Sequence, residues 1–300
     1  MFVQYTNGNY NVVINLDDGT KLRYHDGDTP FIPSRPESLD VKISNQCNHN
    51  CSFCHEDSRI DGKVATLGAM TNFVNSIPPY TEIAVGGGNL MESYIHTEVF
   101  LSMLKEVKAI PSITVRQDDF IKYFDIIQEW KDKHLIYGIG VSLTNASDYR
   151  LYRCMDKCPT AVLHVIAGLL TEQDYQMLAG SNIKMLILGY KKIRRGLKRF
   201  LSSSEEIHQN IVDLESHFDD FKNDFAIVSF DNLALEQLRM RAHVLPQDWN
   251  KYYMGDDGEY TFYVDLVEEK FAQSSTNLDR HKIDEMTVTE MFNVIRSNND

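Results

Sequence analysis

Hydrophobic positions along the chain follow two alternating rhythms. Short apolar runs stand at Leu39–Ile43, Glu82–Val85, Ile113–Arg116, Ile136–Val141, Val162–Ile166, Met185–Leu188, Phe225–Ser229 and Thr261–Asp265. Between them, apolar residues recur at helical spacing in Val99–Val107, Phe120–Lys131, Glu172–Leu178, Glu205–Phe218 and Leu233–Arg241. Repeated strand–helix units predict an α/β fold with a parallel sheet, either doubly wound or curled into a barrel. Ahead of these units, Val12, Ile14 and Leu16 alternate with Val13, Asn15 and Asp17, Asp18-Gly19 supplies a turn, and Lys21–Tyr24 returns. That is a hairpin over Tyr10–Tyr24. Pro30, Pro33 and Pro36 mark a linker, and a last helix is predicted around Thr287–Arg296. Gly138 and Gly140 within one strand predict that something lies close against its backbone.

The composition is that of a globular protein: 300 residues, 43% hydrophobic and 24% charged. A net charge of -13 argues against broad non-specific binding to nucleic acid. Met1–Asn15 lacks a basic region followed by an apolar run, and no stretch approaches the roughly 18 apolar residues of a membrane span. The expectation is a cytoplasmic protein with no membrane partner. The cysteines are Cys47, Cys51, Cys54, Cys154 and Cys158. An odd number in a long chain argues against a disulfide framework, and three within eight residues point to a metal site.

Cys47, Cys51 and Cys54 have the spacing C-x3-C-x2-C on a stretch that follows the predicted strand Leu39–Ile43. Three thiolates on a short irregular loop can each hold one iron of a cubane and leave the fourth iron open to a small molecule. The competing reading is zinc, with His55 or His49 as the fourth ligand.

With Phe53 before its last cysteine, this loop resembles the defining motif of the radical S-adenosylmethionine superfamily. The resemblance implies a 4Fe-4S cluster on Cys47, Cys51 and Cys54, S-adenosylmethionine bound at the open iron, and a 5′-deoxyadenosyl radical that abstracts hydrogen from a substrate. It also implies a partial parallel (β/α)6 barrel of the TIM type and a small reducing partner such as flavodoxin or ferredoxin. Val85-Gly86-Gly87-Gly88-Asn89 resembles the family's glycine motif, whose backbone meets the methionine amino group. The chain departs from the commoner pattern, which has Glu where Asn89 stands; an amide oxygen accepts from an ammonium but adds no charge. Ser142 matches the family's polar residue at the fourth strand end, with Asn145 as a second candidate there. Ile166, two residues before Gly168, matches the adenine-contacting strand, where core packing explains it equally well. Arg116, at the end of the third strand, is placed to meet the methionine carboxylate or to form a surface ion pair. Cys54–Ser58, Gly86–Leu90 and Phe271–Thr276 are similar to segments of a little-characterised group of radical enzymes from bacteria and their phages.

Lys191, Lys192, Arg194, Arg195, Lys198 and Arg199 form a basic run. It is either a solvated loop or a patch for an anionic substrate. Cys154 and Cys158, spaced i and i+4 on a predicted helix, read as buried free thiols. His55, Glu56 and Asp231 stand where they would either line the site or hold its loops. The expected organisation is a hairpin and linker over 1–36, a barrel core over 37–230 and an extension over 231–300. No residue is assigned to the hydrogen abstraction itself. The rival readings are a zinc-stabilised binding protein and a degenerate barrel that acts as a scaffold.

Overall fold

The computed structural model describes residues 1–27 and 29–297. The first element is a three-stranded antiparallel sheet of β1 (Phe2–Asn7), β2 (Tyr10–Asn15) and β3 (Lys21–Tyr24). The predicted hairpin is its β2–β3 pair, with Gly19 at φ +79 in the turn. Strand β1 adds to the free edge of β2. Its inward row ends in a polar residue, Asn7, which is fully buried and donates to Tyr10 Oη and Arg35 O. That polar residue breaks the alternation that would have revealed the strand.

The main sheet contains β4 (Ser38–Ser44), β5 (Glu82–Gly87), β6 (Ile110–Arg116), β7 (Gly138–Ser142), β8 (Ala161–Ile166), β9 (Lys184–Leu188), β10 (Ile227–Phe230), β11 (Thr261–Asp265), β12 (Lys270–Ala272) and β13 (His281–Lys282). Their order is β10-β9-β8-β7-β6-β5-β4-β11-β12-β13. From β4 to β10 each new strand joins the one before it, and all pairs are parallel. A doubly wound sheet would reverse direction; this one winds one way, as a barrel does. Strand β11 returns to the other edge of β4, also in parallel, and β12 and β13 continue antiparallel. Side chains join the loops at the two sides: Lys191, after β9, donates to Ser275, after β12, at 2.9 Å, and Asn232, after β10, donates to Asp257, before β11, at 2.9 Å. The sheet is therefore a curled partial barrel.

The connecting helices are α1 (Leu67–Asn75), α2 (Tyr94–Glu106), α3 (Gln117–Lys122), α4 (Phe124–Asp132), α5 (Tyr149–Asp156), α6 (Glu172–Leu178), α7 (Arg194–Ser202), α8 (Ser204–Ser216), α9 (Phe221–Asp224), α10 (Asn232–Gln237), α11 (Pro246–Tyr252) and α12 (Val288–Ser297). The single helix predicted over Phe120–Lys131 is broken between α3 and α4 at Tyr123. Cys158 lies past the end of α5, so it and Cys154 do not share a helix; Cys158 is buried and Cys154 partly so.

The two faces of the sheet differ sharply. Leu39, Val41, Ile43, Ile83, Val85, Ile139, Val141, Leu163, Met185 and Ile187 point to the helices and form the core with Phe100 and Trp130. Each such side chain contributes about 1.5–3 kcal/mol by burial. The opposite, concave face carries mostly small or polar residues in register: Asp40, Ala84, Ser112 and Gly138 form one row, and Arg116, Ser142 and His164 another that ends in the apolar Leu186. The expected close approach at Gly140 is real: a Cβ there would overlap the His164 imidazole.

Helix α12 covers β11, with Phe292 stacked on Phe262 at 6.2 Å between ring centroids. At the amino edge of β4, the buried carboxylate of Glu37 accepts from Tyr10 Oη at 2.6 Å and Arg23 Nε at 2.8 Å, and pairs with Lys21 at 3.3 Å. These bonds fasten the small sheet to the barrel.

Candidate active site

The cysteine loop leaves the carboxyl end of β4. Bridges Ser44↔Val64 and Gln46↔Arg59, with Cys47 N–H donating to Arg59 O at 2.8 Å, fold it back on itself. Asn50 and Asp57 take left-handed backbone, which their short polar side chains tolerate. Cys47, Cys51 and Cys54 are each partly exposed. Burial pushes the Cys47 thiol up, and the neighbouring Cys51 and Cys54 thiols add to the shift. Among the described residues no three His, Cys, Asp or Glu side chains converge on one coordination point. The Arg116 guanidinium lies 3.7 Å from Cys51 Sγ and 3.1 Å from Asp118. The soft three-thiol donor set fits an iron–sulfur cluster. Neither histidine is offered as a fourth ligand: His49 Nε2 is shared between Asp119 and Asn89, and His55 turns to Glu56 at 3.5 Å.

The glycine triplet meets the loop directly. A Cβ on Gly87, at φ +124, would strike Ser44 O, and one on Gly88 would strike Gln46 O. These two glycines let the chain leaving β4 cross the end of β5, where Gly88 and Asn89 N–H groups donate to Ser44 O and Gln46 O at 2.7 Å. Gly86 alone opens on free space. The Asn89 side chain is committed to the same junction: it donates to Asn48 Oδ1 at 3.1 Å and His49 Nε2 at 3.0 Å, and accepts from Met91 N–H. Three residues on, Glu92 keeps a buried carboxylate oxygen without a hydrogen-bond partner, and its charge is felt at Cys47.

Ser142 sits on the concave face beside Arg116 and His164. Ile166 is partly buried and lies opposite Leu188. Asn145 and Asp231 are turn and cap residues: Asn145 accepts from Ser147, and Asp231 caps α10 through Ala234 N–H while accepting from Gly189 N–H. His164 makes no side-chain hydrogen bond among the described residues, and burial pushes its imidazole down to about 4, so it is neutral at pH 7.

The basic run is not a solvated loop. From Arg194 onward it is helix α7, and Lys192, Arg194 and Lys198 stay exposed on it and just before it. Arg194 donates to Glu56 O at 2.9 Å and pairs with Glu56 Oε2 at 3.2 Å. Arg195 binds Asn50 Oδ1, Ser58 O and Asp57. Lys192 lies over the Phe200 ring, and Arg199 pairs with Glu206. Arg194 and Arg195 thus hold the cysteine loop, while Lys192 and Lys198 remain exposed to solvent.

Below the loop lies a buried ionic network. Lys42, on the concave face of β4, bridges Glu56 at 3.0 Å and Asp265 at 2.6 Å, and Tyr263 Oη donates to Glu56 at 3.0 Å. Lys42, Glu56 and Asp265 are each less than a tenth exposed. Burial alone would push the Glu56 carboxyl up; Lys42 and the Tyr263 hydroxyl hold it at about 2. Burial and the Lys191 charge push His55 down to about 3, so its contact with Glu56 is not an ion pair at pH 7.

No protein-family profile matches the chain, and no curated protein does. Solved structures do. The chain superposes on Streptococcus suis SuiB bound to S-adenosylmethionine with a TM-score of 0.58 and 11% identity, over 97% of this chain and 86% of that one. It superposes on anSMEcpe, solved with AdoMet and the Cp18Cys peptide, with a TM-score of 0.57 and 12% identity, over 85% of this chain and 79% of that one. The fold is that of the radical S-adenosylmethionine enzymes. In this radical fold the cysteine loop, glycine motif, Arg116 and Ser142 gather at the carboxyl ends of successive strands, as the sequence predicts. The sequence reading missed Lys42, Glu92, His164, Tyr263 and Asp265. One signal was available: parallel strands covered on both faces read as continuous apolar runs, and Asp40 and Lys42 break that run in β4.

Proposed function

We propose that the chain is a radical S-adenosylmethionine enzyme, with Cys47, Cys51 and Cys54 holding a 4Fe-4S cluster. The observation that carries this is the placement of three thiols on the loop at the carboxyl end of β4 in this fold. When bound, cluster and cofactor supply the electron and the 5′-deoxyadenosyl radical. The protein's own part is to bind, orient and exclude water. Gly86, open beside the loop, admits the cofactor's backbone-facing end, and the unpaired Glu92 carboxylate is the acceptor available to its ammonium. Asn89 acts instead through the loop that it holds. Arg116, partly exposed next to Cys51, suits a carboxylate, Ser142 a hydroxyl, and Ile166 the adenine. The concave face beyond them, lined by Ala84, Ser112, Gly138 and the unpartnered His164, takes the substrate. Because anSMEcpe binds a peptide, a peptide is the first substrate class to try.

The test is anaerobic reconstitution with iron and sulfide, followed by dithionite and S-adenosylmethionine. About four irons per chain and 5′-deoxyadenosine formed by wild type but not by Cys51→Ala are expected. A colourless protein holding one zinc and forming no 5′-deoxyadenosine would overturn the reading in favour of a zinc-stabilised binding protein.

A further inference from the structure

Glu56 lies two residues past Cys54, where the cysteine loop has no regular secondary structure of its own. Its carboxylate and carbonyl tie together three elements of the fold: Lys42 from β4, Arg194 from α7 and, from β11, Tyr263 directly and Asp265 through Lys42. Asp265 is in turn fixed by Val267 and Glu268 N–H groups at 3.0 and 3.1 Å. Arg194 adopts left-handed backbone, φ +49, where it starts α7 with its guanidinium on Glu56. A non-glycine residue holds that conformation only when its surroundings impose it. The entrance of the loop is held separately, by Asn89 and by Ser44 and Gln46 backbone.

We propose that Glu56 is a positioning residue for the cysteine loop, and that through the Lys42–Glu56–Asp265 bridge the C-terminal extension becomes a working part of the cluster site. The proposal rests on the reading that the thiols hold a cluster. The bridge acts in two ways. It fixes the exit of the loop and so the direction of Cys54. It also sets a negative charge, balanced by two cations, two residues past Cys54. Replacing Glu56 with a neutral amide leaves Lys42 and Arg194 under-compensated. Added positive charge favours the reduced cluster, so the reduction potential rises.

The experiment compares wild type, Glu56→Gln, the milder Tyr263→Phe, Cys51→Ala and, as a control, Glu37→Gln at the far end of β4. Three quantities are read: trypsin cleavage after Arg59 and Lys63 in the metal-free protein, iron retained against a chelator, and the cluster potential by a redox titration followed by electron paramagnetic resonance. Outer-shell partners of metal ligands typically change affinity by roughly tenfold to a hundredfold. Glu56→Gln is expected to lose iron in that range, to be nicked faster in the loop, and to titrate at higher potential. Tyr263→Phe is expected to shift the same readouts less, and Glu37→Gln to move none of them. Glu56→Gln and Tyr263→Phe matching wild type in nicking, retention and potential would overturn the proposal. So would Glu37→Gln matching Glu56→Gln, since the effect would then be general instability. If wild type takes up no more iron than Cys51→Ala, the functional reading fails, while the nicking rates still decide whether Glu56 fixes the loop.

Discussion

Two carboxylates, Glu37 and Glu56, stand at opposite ends of the same strand and are held by the same chemistry. Each is nearly or fully buried, each lies between two cations, and each accepts from a tyrosine hydroxyl. They differ in what they fasten. Glu37 joins two sheets that already have their own hydrogen-bonded ladders. Glu56 joins a loop to a barrel, and Arg195 holds the same loop through Asn50, Asp57 and Ser58. The same buried ion pair is therefore a matter of stability at one end and of geometry at the other.

The largest effect expected, and the one that defines the working end, is Cys51→Ala, which abolishes 5′-deoxyadenosine formation in the reconstituted assay above.

Next is Glu37→Gln. Leaving buried cations uncompensated costs about 3–5 kcal/mol, read as a lower midpoint in denaturant with iron content unchanged. The effect has a pH signature. Burial alone would push the Glu37 carboxyl up, but Lys21, Arg23 and Tyr10 hold it below its ordinary value. A depressed carboxyl stabilises the fold above its unfolded value, about 4.3, and that stability is lost as pH falls through the folded value. Wild type should therefore lose more stability in acid than Glu37→Gln does. Parallel acid profiles would show that Glu37 is not what ties the small sheet down.

Gly140→Ala tests the concave face between the two ends. The new methyl meets His164, and overpacking of this kind costs about 1–3 kcal/mol. Adding His164→Ala should recover most of the loss, as a double-mutant cycle measures. Additive losses would mean that the imidazole does not lie over Gly140.

The smallest effect belongs to a surface pair that serves as the baseline. Burial would lower the His217 imidazole, but hydrogen bonds from Glu172 and Asp220 raise it, and its ring stacks on Tyr175 at 3.9 Å. A raised imidazole stabilises below its unfolded value, about 6.5, and the contribution is lost as pH rises through the folded value. Glu172 is about half exposed, so Glu172→Gln should cost under about 1 kcal/mol at pH 6 and less at pH 8.

Much of this was legible in the sequence for a simple reason: strand runs, helix periods and the cysteine spacing are all local. Every strand from β4 to β11 was predicted near its place, and Glu172–Leu178 matches α6 end to end. The failures are non-local. Asn7 hid β1 because its partners are Tyr10 across a turn and Arg35 beyond the linker. The crossing at Gly87 and Gly88 was hidden because the atoms an added Cβ would meet are backbone of Ser44 and Gln46, more than forty residues earlier. The contacts of Arg194 and Arg195 were hidden because their acceptors, Glu56 and Ser58, lie 138 and 137 residues away. Tyr263 is 207 residues from the carboxylate it serves, a distance over which no pattern of spacing carries information.

The placement of β11 beside β4 has a consequence in time. A chain made from its amino end produces the cysteine loop early, but the strand that completes the other edge of β4 and supplies Tyr263 and Asp265 comes only at residues 261–265. Until then Lys42 and Glu56 lack two of the groups that hold them. The thiols therefore emerge on a slack segment, and the groups that hold the exit of their loop are complete only after residues 261–265 have been made.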